Sequence, residues 1–82
     1  MIIVWDEPKR LHNLAKHGLD FAELDEMFFV EARIRPAKLG RAIAIGELNE
    51  RIIVAVVHLP LGREAVSIIS MRPASRRERS AP

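Results

Sequence analysis

Lys9 and Lys16 lie seven residues apart near the start of the chain, and Arg72, Arg76, Arg77 and Arg79 crowd its end. Cleavage of a phosphodiester by an internal 2′-hydroxyl needs a base for that hydroxyl and an acid for the leaving oxygen. It also needs cations for the charge that develops on phosphorus, and it needs no metal. Lysine, arginine, histidine and glutamate supply those roles here. A histidine such as His17 can serve as base, because imidazole titrates near neutrality, and Glu78 is a carboxylate alternative. Each has a plainer reading. A histidine suits the negative end of a helix, Glu78 completes a capping pattern with Ser75, and spacing alone describes only a solvated charged surface.

Other chemistries find less support. His12 and His17 are five residues apart, about 140° around a helix, so they do not chelate one ion as an i, i+4 pair would. His58 has no neighbouring partner in the sequence. No metal site or cofactor is expected. The glycines are isolated, so there is no phosphate-cradling loop. The serines lack a nucleophile elbow. With no cysteine, thiolate zinc, disulfides and cysteine nucleophiles all drop out. Trp5, the sole tryptophan, could stack on an RNA base, but such a residue is more often core with its N–H bonded.

These groups must be positioned by a small α+β domain. Met1 to Trp5 reads as a short strand. Asp6-Glu7-Pro8 opens a helix that runs to about His17, with Gly18 closing it. Leu11, Leu14 and Ala15 share its apolar face, and Lys9, His12, Asn13 and Lys16 the opposite one. Asp20-x-x-Glu23 predicts a second helix from Asp20 to about Val30, with Phe21, Leu24 and Phe28 as its stripe and Met27 beside them. Ala32 to Arg35, Arg41 to Leu48, Ile52 to Val57 and Glu64 to Met71 read as strands. The third of these is continuously apolar, as a central strand covered on both faces would be. The expected fold is an antiparallel sheet with both helices on one face. In order it runs β-α-α-β-β-β-β, with a short helical segment at Ser75-x-x-Glu78. Alternation through Val66, Ile68, Ser70 and Arg72 puts those four on one face.

With 82 residues there is room for one domain, spanning 1–82. Residues 1–50 carry seven basic and nine acidic side chains, whereas residues 51–82 carry six basic and two acidic. Ten of the thirteen basic residues are arginine, whose planar fork matches phosphate. No apolar run approaches the roughly 20 residues that span a bilayer, and the N-terminus lacks the basic start of a signal peptide. The expected location is the cytoplasm, without a membrane role.

Trp5-Asp6-Glu7-Pro8-Lys9, Asn13, Lys16-His17-Gly18 and Phe21 resemble the N-terminal signature of the BrnT toxins. Arg41, Gly46, Ile68-Ile69-Ser70, Arg72, Ala74, Ser75 and Glu78-Arg79 continue the likeness across almost the whole chain. The resemblance implies a RelE-like fold, ribosome-independent RNA cleavage and growth arrest. The candidate catalytic set is Lys9, His17, Arg72 and Glu78, with His17 preferred as base because it also belongs to the family-like triplet Lys16-His17-Gly18, and the candidate RNA contacts are Trp5, Lys16, Arg41, Arg76 and Arg79. From its place directly after the last strand and before Pro73, Arg72 is expected to be the main phosphate cation, aided by Lys9 and Arg41. The implied partner is a BrnA-like ribbon-helix-helix antitoxin, two copies of each chain forming a heterotetramer. Operator DNA would be touched only through that antitoxin.

The chain departs from the family pattern in three places. Ser67 stands where an arginine is usual, no tyrosine follows Glu78-Arg79, and Val30 precedes Glu31 where the acid usually comes directly after Phe29. Two further readings therefore stay open. One is a catalytically weak toxin acting mainly as antitoxin partner and co-repressor, and the other is a RelE/ParE-type toxin acting on gyrase.

Overall fold

Asp6 ends the first strand and starts the first helix. The computed structural model describes residues 1–81. Strand β1 (Ile2–Trp5) leads into α1 (Glu7–His17). The Asp6 side chain accepts from the Lys9 N–H, and Gly18, at φ 69°, closes the helix with its N–H on Leu14 O. Both signals were legible locally.

The second helix is shorter than expected and broken. Asp20 caps only a 3₁₀ turn over Phe21–Glu23, and α2 (Glu26–Glu31) has its own cap, Asp25. The reason lies in the competing partners of the Asp20–Glu23 pattern. Asp20 Oδ1 binds the Ala22 N–H at 2.9 Å and Arg10 Nε at 2.8 Å. Glu23 reaches Asn49 at 3.2 Å instead of returning to its cap. The buried stripe is Phe21, Leu24, Phe28 and Phe29, while Met27 stays 58% exposed.

The remaining strands are β2 (Arg33–Pro36), β3 (Ala42–Leu48), β4 (Ile52–Leu61) and β5 (Ala65–Pro73), and α3 (Arg76–Ser80) ends the fold. Their order across the sheet is β1-β5-β4-β3-β2. From β2 to β5 the strands form the expected antiparallel meander. β1, however, pairs with β5 in parallel, Ile2 beside Ala65 and Trp5 beside Ile68. The sheet is therefore mixed, which corrects the antiparallel expectation. A parallel neighbour needs a long connection to carry the chain back to its starting end, and everything between Trp5 and Ala65 serves as that connection.

β4 is the middle strand, and Val54, Ala55 and Val56 are fully buried. The main core lies under the 3₁₀ turn and α2, where Phe21, Leu24, Phe28 and Phe29 meet Val54, Val56, Val66, Ile68 and Met71. A smaller cluster on the second face joins Ile45, Ala55 and Ala74.

β5 carries one extra residue. Val57 pairs with Ser70 and its neighbour His58 with Ile68, so Ile69 has no partner in the ladder. A bulge of this kind shifts the alternation by one position. Val66 and Ile68 face the main core, as does Met71. Arg72 falls in the row Arg33–Ile45–Ala55–Arg72 on the second face. The four-residue alternation read from the sequence therefore breaks between Ile68 and Ser70. No helix among the described residues is long and apolar enough to cross a membrane.

Candidate active site

The outward side of α1 and the end of β5 form one basic groove. Lys9, His12, Asn13, Lys16 and His17 line it from the helix, and Ile69, Ser70 and Arg72 from the strand. Its volume is about 500 Å³, within the range of small-ligand clefts. Three of the four expected catalytic residues, Lys9, His17 and Arg72, meet there with Lys16.

α1 is held against the sheet by polar contacts more than by its apolar residues. Leu11, read as apolar-face, is 53% exposed, whereas Asn13, read as outward, is 6% exposed. The Asn13 amide donates to Met71 O at 2.8 Å and accepts from the Met71 N–H at 3.1 Å. Arg10 ties α1 to the segment that follows it, bonding Asp20 through two nitrogens at 2.8 and 3.2 Å, and it bonds Glu7 of its own helix at 2.8 Å.

Arg72 reaches the groove while its guanidinium is gripped by Glu78. Nη1 donates to Oε1 at 2.6 Å and Nη2 to Oε2 at 2.9 Å. Glu78 is 5% exposed, and its carboxylate also accepts from the Ser75 N–H at 2.9 Å and from Arg35 at 3.3 Å. The capping box over Ser75 and Glu78 is complete. Arg72 above all holds the Glu78 carboxyl down to about 2. So weak a base takes few protons at neutral pH. The geometry suits Glu78 to fixing Arg72, which leaves His17, half-buried at the end of α1, as the better-placed candidate base.

The expected RNA contacts divide. Lys16 joins the groove. Trp5 is half-buried, its Nε1–H bonded to Glu7 at 3.0 Å and its ring edge-to-face with Phe21, so it is committed to the edge of the core. Arg41 precedes β3, two strands away from β5, with its backbone tied to Ala37 and Lys38. It does not line the basic groove, and neither does Arg76, exposed on α3. Arg79 lines a different concavity, among Glu23, Asp25, Glu31, Glu47 and Glu50. Of the C-terminal arginines, Arg72 lines the groove, whereas Arg76 and Arg79 of α3 do not. His12 and Asn13 are the groove residues that the sequence reading assigned no role. Asn13 carried a signal, as part of the N-terminal signature.

Comparison with known proteins bears on this arrangement. The family model described as "Ribonuclease toxin, BrnT, of type II toxin-antitoxin system" matches residues 5–78. The crystal structure of the Brucella abortus ribonuclease toxin, BrnT, is 58% identical in sequence and superposes with a TM-score of 0.86, covering 93% of this chain and 99% of that one. No curated protein matches.

Proposed function

Because this chain belongs to the BrnT family of ribonuclease toxins of type II toxin–antitoxin systems, we propose that its basic groove cleaves RNA without a metal. The observation that carries this reading is the meeting of Lys9, Lys16 and His17 with Arg72 in one groove. His17 takes the proton of a 2′-hydroxyl, whose oxygen attacks the adjacent phosphorus. The bond from phosphorus to the 5′-oxygen breaks, and that oxygen takes a proton from the ammonium of Lys9. The products are a 2′,3′-cyclic phosphate and a free 5′-hydroxyl. Arg72 and Lys16 stabilise the added negative charge on the phosphorane.

The test is cleavage of single-stranded RNA by the purified chain in EDTA. The rate should survive the chelator, and an EDTA-sensitive rate overturns the metal-free step. Arg72→Ala should lower the rate about 100-fold or more. Lys9→Ala, at an exposed position, gives the same test with less disturbance of the fold. Wild-type rates in both folded variants refute the reading.

The partner in this reading is a ribbon-helix-helix antitoxin, paired two to two, which makes the DNA contacts and silences growth arrest. Family membership in a toxin–antitoxin system supports an antitoxin partner. Co-expression with the adjacent reading frame followed by size exclusion tests it, and separate elution at micromolar concentration counts against it. A second reading, a weak enzyme acting mainly through its antitoxin, is favoured by one contact, since Glu78 neutralises Arg72. RNA cleavage indistinguishable from a buffer blank would favour that reading.

A further inference from the structure

We infer that Asn13 is a positioning residue for the reaction proposed above, an amide that replaces a missing length of strand and so sets the cations of α1 against Arg72. The inference rests on the reading of the groove as the site of RNA cleavage. β1 ends at Trp5, opposite Ile68. Beyond that point none of the described residues forms a strand beside the outer edge of β5, and the N–H and C=O of Met71 both need partners. A single side chain supplies both, with Nδ2 donating to Met71 O at 2.8 Å and Oδ1 accepting from Met71 N at 3.1 Å. A carboxamide carries the same donor and acceptor as a peptide group, which Asp and Leu do not.

The same Nδ2 also donates to Leu19 O at 3.3 Å. One buried amide therefore joins three pieces of chain: the middle of α1, the segment after His17 and Gly18, and the end of β5. Lys9 lies four residues before Asn13 and Lys16 three residues after it, both on neighbouring turns of the helix. Arg72 directly follows Met71. Every cation of the groove is thus within about one helical turn of Asn13 or one residue of Met71, which Asn13 binds. Losing the amide frees α1 to shift along β5, and a misplacement of about 1 Å in a phosphoryl-transfer site can cost about 100-fold in rate.

A merely structural role makes a different forecast, in which the variant is less stable but each folded molecule cleaves normally. The experiment is single-turnover cleavage of single-stranded RNA by the full chain over a range of enzyme concentrations. It is run at a temperature where circular dichroism shows the variant folded. Asn13→Ala should lower the saturating rate at least about tenfold, with half-saturation changed less than about threefold. Asn13→Gln keeps the amide but displaces it by one methylene, and should fall between Asn13→Ala and the parent. It also serves if Asn13→Ala does not fold. Leu14→Ala trims a half-buried apolar side chain of the same helix, keeps both Asn13 bonds to Met71, and should keep the parental saturating rate. A parental rate in whichever Asn13 variant is folded overturns the inference, as does an equal loss in Leu14→Ala. If Lys9→Ala and Arg72→Ala also cleave at the parental rate, the groove itself is misread, which is a separate failure.

Discussion

Glu78 holds both arms of the Arg72 guanidinium, at 2.6 and 2.9 Å, although the two residues lie on different elements, β5 and α3, joined through Ala74 and Ser75. The carboxylate is almost fully buried, and the arginine is 38% exposed. The pair is therefore asymmetric. Removing the arginine leaves a buried charge, whereas removing the charge leaves an arginine that water can reach.

Arg72→Ala should destabilise the fold by about 3 kcal/mol, discounted from a fully buried pair because Arg35 remains near Glu78. Adding Glu78→Gln should recover part of that loss, since no charge is then left stranded. Urea unfolding of both variants decides the matter. A double variant less stable than Arg72→Ala alone contradicts the asymmetry.

Two groups should shape the acid stability. Burial pushes His58 down from its usual 6.5, against a weaker opposing bond to Val56 O. The unfolded chain then takes up this proton first as pH falls. Its contribution is full above pH 6.5 and declines as the pH drops through the lower folded value. The Glu78 carboxyl, lowered from 4.5 to about 2, contributes fully above 4.5 and is lost as pH falls toward about 2. Unfolding free energy measured against pH should show both declines. His58→Leu should remove the upper one, and Glu78→Gln should shrink the lower one, to which Asp20, also held low by Arg10, contributes the remainder.

Cations inside and outside the groove should differ in their effect on RNA. Lys9→Ala and Lys16→Ala should each reduce the salt dependence of single-stranded RNA binding by about 0.7 in log–log slope. Arg76→Ala and Arg79→Ala should leave that slope close to parental, and all four should stay within about 0.5 kcal/mol in stability. Fluorescence anisotropy across a salt series measures the slope. Equal losses at Arg76 and Lys9 would mean that RNA also crosses α3.

Gly46 is demanded by packing. A Cβ built there would meet Ala32 Cβ and Phe28 Cε1 at 3.3 Å and the Ala32 backbone at 3.4 Å. Gly46→Ala should cost about 1–3 kcal/mol, because α2 and β3 would have to move apart. A thermal melt at or above the parental midpoint would show that the contact yields.

What the sequence determined by itself was local. Asp6, Gly18 and the Ser75–Glu78 box could be read because a cap involves residues within about four positions of one another. The central place of β4 could be read from its unbroken apolar run. The groove's cations could be named by type, and the family by their order. The tertiary structure decided how they meet. The parallel partner of β1 is chosen by the return path of the whole chain. The extra residue at Ile69 is defined only by what β4 places opposite it, and that shift turns Arg72 onto the second face. Asn13 reads as an outward residue until the bare edge of β5 arrives beside it. Asp20–Glu23 reads as a helix cap until Arg10 and Asn49 claim its carboxylates. In each case the deciding interaction joins residues far apart in the chain, and no local pattern encodes which distant backbone group will need a partner.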